Sequence, residues 1–170
     1  MFKIKNLTIN KVMITQLKLK QRKLMTETDT NKKYEIVAKY IKDISFEIPT
    51  PDSFVDAAQN LAKYNTKLDL QSNPYKNNLV ELNCKFQMEA TEEIKNKIHA
   101  EVCITILFKL TDPKMAAEEI KKTVLIDIPT ENFEFIKDVV TTLFQKTGFK
   151  NFNFSKEVNF EALYKQQFAN

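Results

Sequence analysis

The chain has 170 residues, of which 43% are hydrophobic and 28% are charged, and its formal net charge is +4. This length suits one domain with a core of its own and is short for two. Gly148 is the only glycine, which argues against nucleotide-binding enzymes, because the loops that cradle phosphates need several glycines.

The charge is distributed unevenly along the chain. Residues 1–24 contain none of the 22 acidic residues. They contain seven of the 26 basic residues, which are Lys3, Lys5, Lys11, Lys18, Lys20, Arg22 and Lys23. The remainder is mildly acidic and has no basic patch typical of nucleic-acid binding. We therefore predict a basic, disordered N-terminal extension over residues 1–32 and a folded domain over 33–170. Alternative interpretations of residues 1–24 are a membrane-touching basic helix, a targeting segment, or a start site placed upstream of Met25.

Cysteine content and hydropathy predict the compartment. Cys84 and Cys103 are too few for a disulfide framework and fit a reducing environment. No stretch has the length of a transmembrane helix or the continuous apolar segment of a signal peptide. We expect a cytoplasmic protein with no direct membrane insertion and no nucleic-acid partner.

The first predicted strand covers Lys33 to Glu47. Its second half alternates, with Tyr40, Lys42, Ile44 and Phe46 predicted on one face and Ile41, Asp43, Ser45 and Glu47 on the other. The prolines that follow cannot continue a central strand, so residues 48–63 are interpreted as a crossover loop with a short helix at 53–63.

Three further strands are predicted at 64–72, 80–90 and 98–110. In the last of these, Ala100, Val102 and Ile104 share one face, while His99 and Glu101 share the other. The links between these strands are short, which favours an antiparallel meander with one face covered.

After Pro113 the spacing of apolar residues changes from the alternation of strands to a mostly helical pattern. Residues 113–122 are predicted helical and 123–128 extended. A long helix is then predicted to open at Pro129, with Thr130 as its N-cap, and to stop at Gly148. A shorter helix is predicted at 159–168. The predicted fold class is α+β, a four-stranded antiparallel sheet with a long C-terminal helix and a shorter terminal helix packed on one face.

Candidate chemistry is sparse. His99 and Glu101 could act together as an acid and a base or as metal ligands, but there is no second histidine, no paired-cysteine motif and no nucleophile motif. We therefore expect an exposed, non-catalytic His99, a core Cys84, and no cofactor or metal. The 13 phenylalanines exceed what one sheet layer can be expected to bury, which predicts oligomerisation or an apolar groove.

The sequence resembles the SecB family of protein-export chaperones. The similarity lies in residues 40–47 with the prolines that follow, Lys67-Leu68-Asp69-Leu70, Gly148-Phe149, and residues 158–164. The resemblance covers about residues 33–168. It implies a SecB-like homotetramer, arranged as a dimer of dimers, that holds unfolded precursor proteins, delivers them to the SecA translocation motor and has no enzymatic activity.

The resemblance also implies roles for individual residues. It places docking of the SecA motor, whose docking tail is basic, at Asp43, Glu47, His99 and Glu101. The expected client groove comprises Phe46, Phe54, Leu68 and Leu70, and the expected subunit-packing side comprises Ala100, Val102 and Ile104. The chain departs from the family pattern in the fourth predicted strand, where a glycine commonly precedes an apolar-Phe pair and this chain has Thr105-Ile106-Leu107-Phe108. It also ends Phe168-Ala169-Asn170 without an acidic tail.

Three alternatives to the general export chaperone stay open. One is a chaperone dedicated to a single client, such as an antitoxin. Another is a sheet-wrapped-helix thioesterase that uses Glu101 or His99. The last is an oligomeric scaffold with no client.

Overall fold

A computed structural model describes residues 32–168 of the chain. The predicted N-terminal extension therefore lies outside the described residues, apart from Lys32. The strands are β1 (Tyr34–Glu47), β2 (Tyr64–Pro74), β3 (Leu79–Ala90) and β4 (His99–Leu110). The helices are α1 (Pro51–Asn60), α2 (Ala117–Lys122), α3 (Ile128–Lys146) and α4 (Phe160–Phe168).

The four strands form one antiparallel sheet in the order β1-β4-β3-β2. Strands β2, β3 and β4 form the predicted meander, and β1 pairs with β4, so β1 and β2 are the edge strands of the described sheet. The helices cover one face of the sheet, which we call the inner face. The opposite face is called the outer face. The predicted α+β architecture is confirmed.

The crossover from β1 to β2 contains α1, as predicted. Thr50 caps this helix, since its hydroxyl accepts a hydrogen bond of 3.1 Å from the backbone N–H of Ser53, and Pro51 occupies the first turn. The side chain of Asn96 donates a 2.7 Å hydrogen bond to Asp56, which ties the crossover to the turn between β3 and β4.

The long helix differs from the prediction. Residues 123–128 are not extended: Thr123–Asp127 forms a π turn that joins α2 to α3, and Thr130 lies inside the helix rather than capping it. Pro129 supplies no N–H, and its ring would clash with the carbonyl of Leu125 in a regular helix. A wider turn relieves that clash, because the N–H of Ile128 bonds instead to the carbonyl of Thr123.

The core lies between the inner face and the long helix. The predicted stripe on α3 is confirmed, with Ile136, Val140 and Phe144 fully buried. Cys84 is also fully buried, as expected, and this burial raises the pKa of its thiol to about 12. It is a core residue and not a nucleophile.

Strand β1 contains a bulge that the predicted alternation missed. The register shifts between Ile41 and Asp43, leaving Lys42 as the extra residue. Tyr40 and Lys42 therefore lie on the outer face, where both donate hydrogen bonds to Glu81, while Ile41 pairs with Ile104 on the inner face. The prediction was wrong for these three residues of β1 and correct from Asp43 onward.

The composition predicted that surplus phenylalanines would be exposed, and the structure shows otherwise. None of the phenylalanines with a described side chain is exposed. Four of the seven large exposed hydrophobic residues in the described part of the chain lie on edge strand β1, where each is between 41% and 46% exposed (Val37, Tyr40, Ile41, Ile44). An open strand edge flanked by such residues is typical of an interface.

Gly148 ends the long helix, as predicted. Its φ is +111°, and a Cβ added there would lie 2.9 Å from Cε2 of the Phe54 ring. The N–H of Phe149 bonds back to the carbonyl of Phe144, as in a Schellman motif.

We expect Gly148→Ala to lower the free energy of unfolding by about 2 kcal/mol, because the backbone conformation is strained for alanine and the Phe54 ring must move. Urea denaturation measures this loss. Lys150→Ala, two residues along and exposed, is the control and should change little. An unchanged unfolding midpoint for Gly148→Ala would contradict the expectation.

Candidate functional site

The four predicted docking residues lie at one corner of the outer face. Asp43 pairs with Cys103 and Glu47 with His99 across β1 and β4, and Glu101 lies opposite Ser45 between these pairs. Directly opposed residues in an antiparallel pair have Cβ atoms about 5 Å apart. The structure therefore brings Asp43, Glu47, His99 and Glu101 together, which defines the acidic corner.

The three carboxylates of the acidic corner are not equivalent. Glu101 accepts hydrogen bonds of 2.9 Å from Lys85 and 2.9 Å from Gln87, and the Lys85 ammonium in particular lowers the pKa of this carboxyl. The same contact raises the pKa of Lys85. Asp43 and Glu47 make no ion pair with any residue of 32–168. A cationic partner would meet two free carboxylates and one that is already neutralised.

The centre of the outer face contains a polar network that the sequence analysis missed. Thr105 is fully buried and donates a 2.7 Å hydrogen bond to Asn83, and Lys42 forms a 2.9 Å ion pair with Glu81. The alternation placed Thr105 and Asn83 outward but gave no register between the two strands. The hydroxyl of Thr105 thus joins β4 to β3.

An apolar groove lies at the opposite edge of the sheet, between β2 and α4. Leu68 and Leu70 form its strand side, and their contact with a client stays a prediction. One cleft of about 400 Å³ is lined by both leucines together with side chains of the helices (Leu125, Phe160, Leu163, Tyr164). A second cleft of about 330 Å³ continues past Leu68 and Leu163 toward Val158. These two clefts are the β2–α4 groove.

Helix α4 is attached to α2 by polar contacts at Tyr164. Its hydroxyl donates a hydrogen bond to Glu118, which raises the pKa of Tyr164, and Lys121 lies 5.7 Å from the ring centroid. The sequence predicted the apolar stripe of α4 but not that it lines the groove, because the stripe alone is equally typical of core packing.

Two of the predicted groove residues lie elsewhere. The Phe46 ring centroid is 4.9 Å from that of Phe144, and the Phe54 centroid is 4.9 Å from that of Phe149. Both rings belong to an aromatic cluster beside Gly148 and do not line the β2–α4 groove. That Phe46 and Phe54 contact a client stays a prediction, because aromatic character alone does not distinguish a groove from a core.

The predicted subunit-packing residues are also corrected. Ala100, Val102 and Ile104 are at most 1% exposed, since they lie on the inner face of the sheet beneath the chain's own helices. They have no surface left for another subunit. The exposed residues of β1 described above are better placed for such contact.

Neither metal binding nor membrane spanning finds support in residues 32–168. No group of histidine, cysteine, aspartate and glutamate there could hold a metal ion. Within the same range no helix is long and apolar enough to cross a membrane.

The fold and its two surfaces define a binding protein with one helix-covered sheet, an apolar groove and an acidic corner. The family model for preprotein translocase subunit SecB matches residues 27–170. The chain belongs to the SecB family, which is a family of chaperones and not of enzymes.

Curated relatives agree with this membership. The chain is 28% identical over 134 residues to the putative protein-export protein SecB of Pelagibacter ubique, covering 79% of this chain and 96% of that one. It is 31% identical over 119 residues to protein-export protein SecB of Orientia tsutsugamushi (strain Boryong), and the match covers 69% of this chain and 72% of that one. The Mycobacterium tuberculosis Rv1957 SecB-like chaperone, solved in complex with a ChAD peptide from the Rv1956 HigA1 antitoxin, is similar with a TM-score of 0.48 and 11% identity over 74% of this chain and 90% of that one.

Proposed function

We propose that this protein binds unfolded precursor proteins in the β2–α4 groove, keeps them competent for translocation, and delivers them to the SecA motor. One observation carries the proposal: the apolar groove opens on the inner side of the sheet at β2, whereas the acidic corner lies on the outer face at β1. A client and a motor could therefore be bound at the same time.

The groove chemistry suits unfolded chains. Burying roughly 400 Å² of apolar client surface contributes about 10 kcal/mol at about 25 cal/mol per Å², before the cost of ordering the client. Ordering a flexible chain cancels much of this gain. Several grooves in one oligomer restore affinity without demanding a client sequence, which suits a protein that must also release what it holds.

The acidic corner suits a basic docking segment. Exposed carboxylates steer a cationic partner and set its orientation more than they add affinity, and their effect weakens with salt. Asp43 and Glu47 are the anchors in this proposal. Glu101 joins them only if Lys85 gives up its contact, and His99 flanks Glu47.

Lys85 therefore acts as an internal competitor for the partner. We expect Lys85→Met to raise the affinity for the motor's basic tail about threefold at low salt, because Glu101 then becomes available. Fluorescence anisotropy with a labelled tail peptide measures the change. Lys67→Met removes the same charge from the ion pair with Glu89 and is the matched control. Equal gains in affinity for Lys85→Met and Lys67→Met would show that the affinity depends on net charge alone and not on Glu101.

We propose a cytoplasmic homotetramer, a dimer of dimers, as the working form. The open edge of β1 presents unpaired main-chain groups beside Val37, Tyr40, Ile41 and Ile44. A second copy that pairs along this edge would cover both the unpaired main-chain groups and the apolar side chains.

Catalysis is not part of the proposal. A carboxylate acting in hydrolysis needs an enclosed pocket around the substrate. Glu101 and His99 instead lie on the open outer face, so no enzymatic activity, cofactor or metal is assigned to them.

Dilution of an unfolded secretory precursor out of denaturant tests the proposal. The chain is expected to suppress the rise in light scattering and to be captured by immobilised SecA through its outer face. A precursor that aggregates equally fast with and without the chain would show that the protein is not a chaperone of this kind.

A further inference from the structure

We infer that Glu81 keeps Asp43 available to a basic partner by holding the ammonium group of Lys42 away from it. Glu81 is thus a positioning residue for the acidic corner, although it lies outside that corner. Its effect on partner binding rests on the proposed docking role of Asp43 and Glu47. The exchange of ion pairs on which the inference depends can be tested without any partner.

The bulge in β1 places a cation next to a docking carboxylate. Consecutive residues of a regular strand point to opposite faces of the sheet. Because the register shifts between Ile41 and Asp43, Lys42 and Asp43 instead both lie on the outer face. Burial raises the pKa of the Cys103 thiol, opposite Asp43, and the charges of Lys42 and Asp43 both act on it as well. Asp43 is therefore an accessible second partner for the Lys42 ammonium.

The structure commits this ammonium to Glu81. Both carboxylate oxygens of Glu81 accept hydrogen bonds from Lys42, at 2.9 and 3.0 Å. The ion pair joins β1 to β3 across β4, between strands about 10 Å apart that are not neighbours in the sheet. Thr105 of β4 is fully buried although it lies on the uncovered face, so the side chains of this network cover it. Asp43 is left without an ion pair within residues 32–168.

Neighbouring side chains fix Glu81 in this position. The hydroxyl of Tyr40 donates a 3.3 Å hydrogen bond to one carboxylate oxygen, and the side-chain amide of Asn83 donates a 3.2 Å bond to the other. Asn83 is itself held by Thr105, whose hydroxyl donates to its side-chain oxygen. The hydrogen bond from Lys42 lowers the pKa of Glu81 most, and those from Asn83 and Tyr40 lower it further. Glu81 is therefore a prearranged, ionised acceptor for Lys42.

Removal of the Glu81 charge should release Lys42 toward Asp43. Glu81→Gln keeps the length of the side chain and an oxygen that can accept from Tyr40 or Asn83, so the sheet should remain folded. The crystal structure of this variant is expected to show the Lys42 ammonium within about 4 Å of a carboxylate oxygen of Asp43. An ammonium that remains beside position 81, or that extends into solvent, would overturn the inference.

Binding of fluorescein-labelled octalysine measures the consequence for docking. An exposed ion pair changes an equilibrium constant by at most about fivefold, and the loss of one negative charge from the outer face weakens binding of a cation about twofold at low salt. We therefore expect Glu81→Gln to bind the probe about tenfold more weakly than the unaltered chain. Added salt should shrink this difference, because it screens exposed charges.

Glu89→Gln is the matched control. Glu89 is likewise paired with a lysine of the outer face. Glu81 and Glu89 lie four residues to either side of Lys85 on β3, and Lys85 faces Asp43 across Cys103. Each glutamate is therefore about 16 Å from Asp43, so the two substitutions change the long-range field there equally. Glu89→Gln should weaken binding only about twofold, and equal losses in the two variants would overturn the inference.

Substitution of Asp43 distinguishes this mechanism from a merely structural role for Glu81. In an Asp43→Asn background the released Lys42 has no carboxylate to neutralise at this position, so Glu81→Gln should weaken binding only about twofold. Glu89→Gln should weaken binding about twofold in either background. A loss of about tenfold for Glu81→Gln that persists in the Asp43→Asn background would show that Glu81 acts by supporting the sheet, and would overturn the inference.

The outcomes separate this inference from the proposed function. If the unaltered chain does not bind octalysine but Lys42 contacts Asp43 in the crystal structure of Glu81→Gln, the docking role is wrong and the exchange of ion pairs stands. If octalysine binds equally well with and without Glu81→Gln, the docking surface stands and the role of Glu81 is wrong.

Discussion

Asp43→Lys/Glu47→Lys is expected to weaken binding of the motor's basic tail about 30-fold. Each reversal replaces an attraction of up to about 1 kcal/mol with a repulsion of similar size, and about 2 kcal/mol corresponds to about 30-fold in the dissociation constant. Both residues are exposed and free of ion pairs within the described chain, so the fold should tolerate the change. Anisotropy of a labelled tail peptide at low salt measures the loss.

The control for this prediction makes the same charge change elsewhere on the outer face. Asp69→Lys/Glu89→Lys should lower the affinity only severalfold, because the long-range field changes while the acidic corner stays intact. Urea denaturation of both variants confirms that each is folded. Equal losses in the two variants, or full binding by Asp43→Lys/Glu47→Lys, would show that the docking site lies elsewhere.

Leu68→Asp/Leu163→Asp is expected to abolish the suppression of precursor aggregation. These leucines lie on opposite sides of the groove and line both of its clefts. Each substitution removes about 1.5–3 kcal/mol of apolar burial and places a carboxylate where a client side chain would pack. Light scattering during dilution of the precursor measures the effect.

Val55→Asp is the control for the groove variant. Val55 is an exposed apolar residue of α1, 49% exposed and outside the groove. It should retain full holding activity. The groove variant should still bind the motor's tail, because the acidic corner is on the other face. Loss of both activities in the groove variant would argue against two separate surfaces.

The sheet could be predicted from sequence because one face is buried along β3 and β4, so alternation is strict there. The bulge at Lys42 could not, since it depends on how β1 aligns with β4. The helix at Thr123–Asp127 was also missed. A run of β-branched residues before Pro129 favours an extended segment locally, and burial of Val124 and Ile128 against the core outweighs that preference.

The candidate site was predictable in part for the same reason. Alternation places Asp43 and Glu47 outward on one strand and His99 and Glu101 outward on another. Their grouping was expected only from the family resemblance, since no local pattern pairs β1 with β4. The ion pair between Lys85 and Glu101 needs the register of β3 against β4, which no local pattern contains. Leu125 entered the groove from a segment that had been predicted as a strand, so its contribution could not be foreseen.

The π turn also sets the rotation of α2 about the helix axis relative to α3. A regular α-helix advances about 100° per residue, so one widened turn offsets every side chain of α2 by a comparable rotation relative to α3. Leu125, which lines the β2–α4 groove, lies inside this turn. Rewinding Thr123–Asp127 into ordinary α-helix would swing Leu125 out of the groove and carry Glu118 and Lys121 away from Tyr164. The shape of the β2–α4 groove thus depends on a proline, Pro129, that is not among the residues lining it.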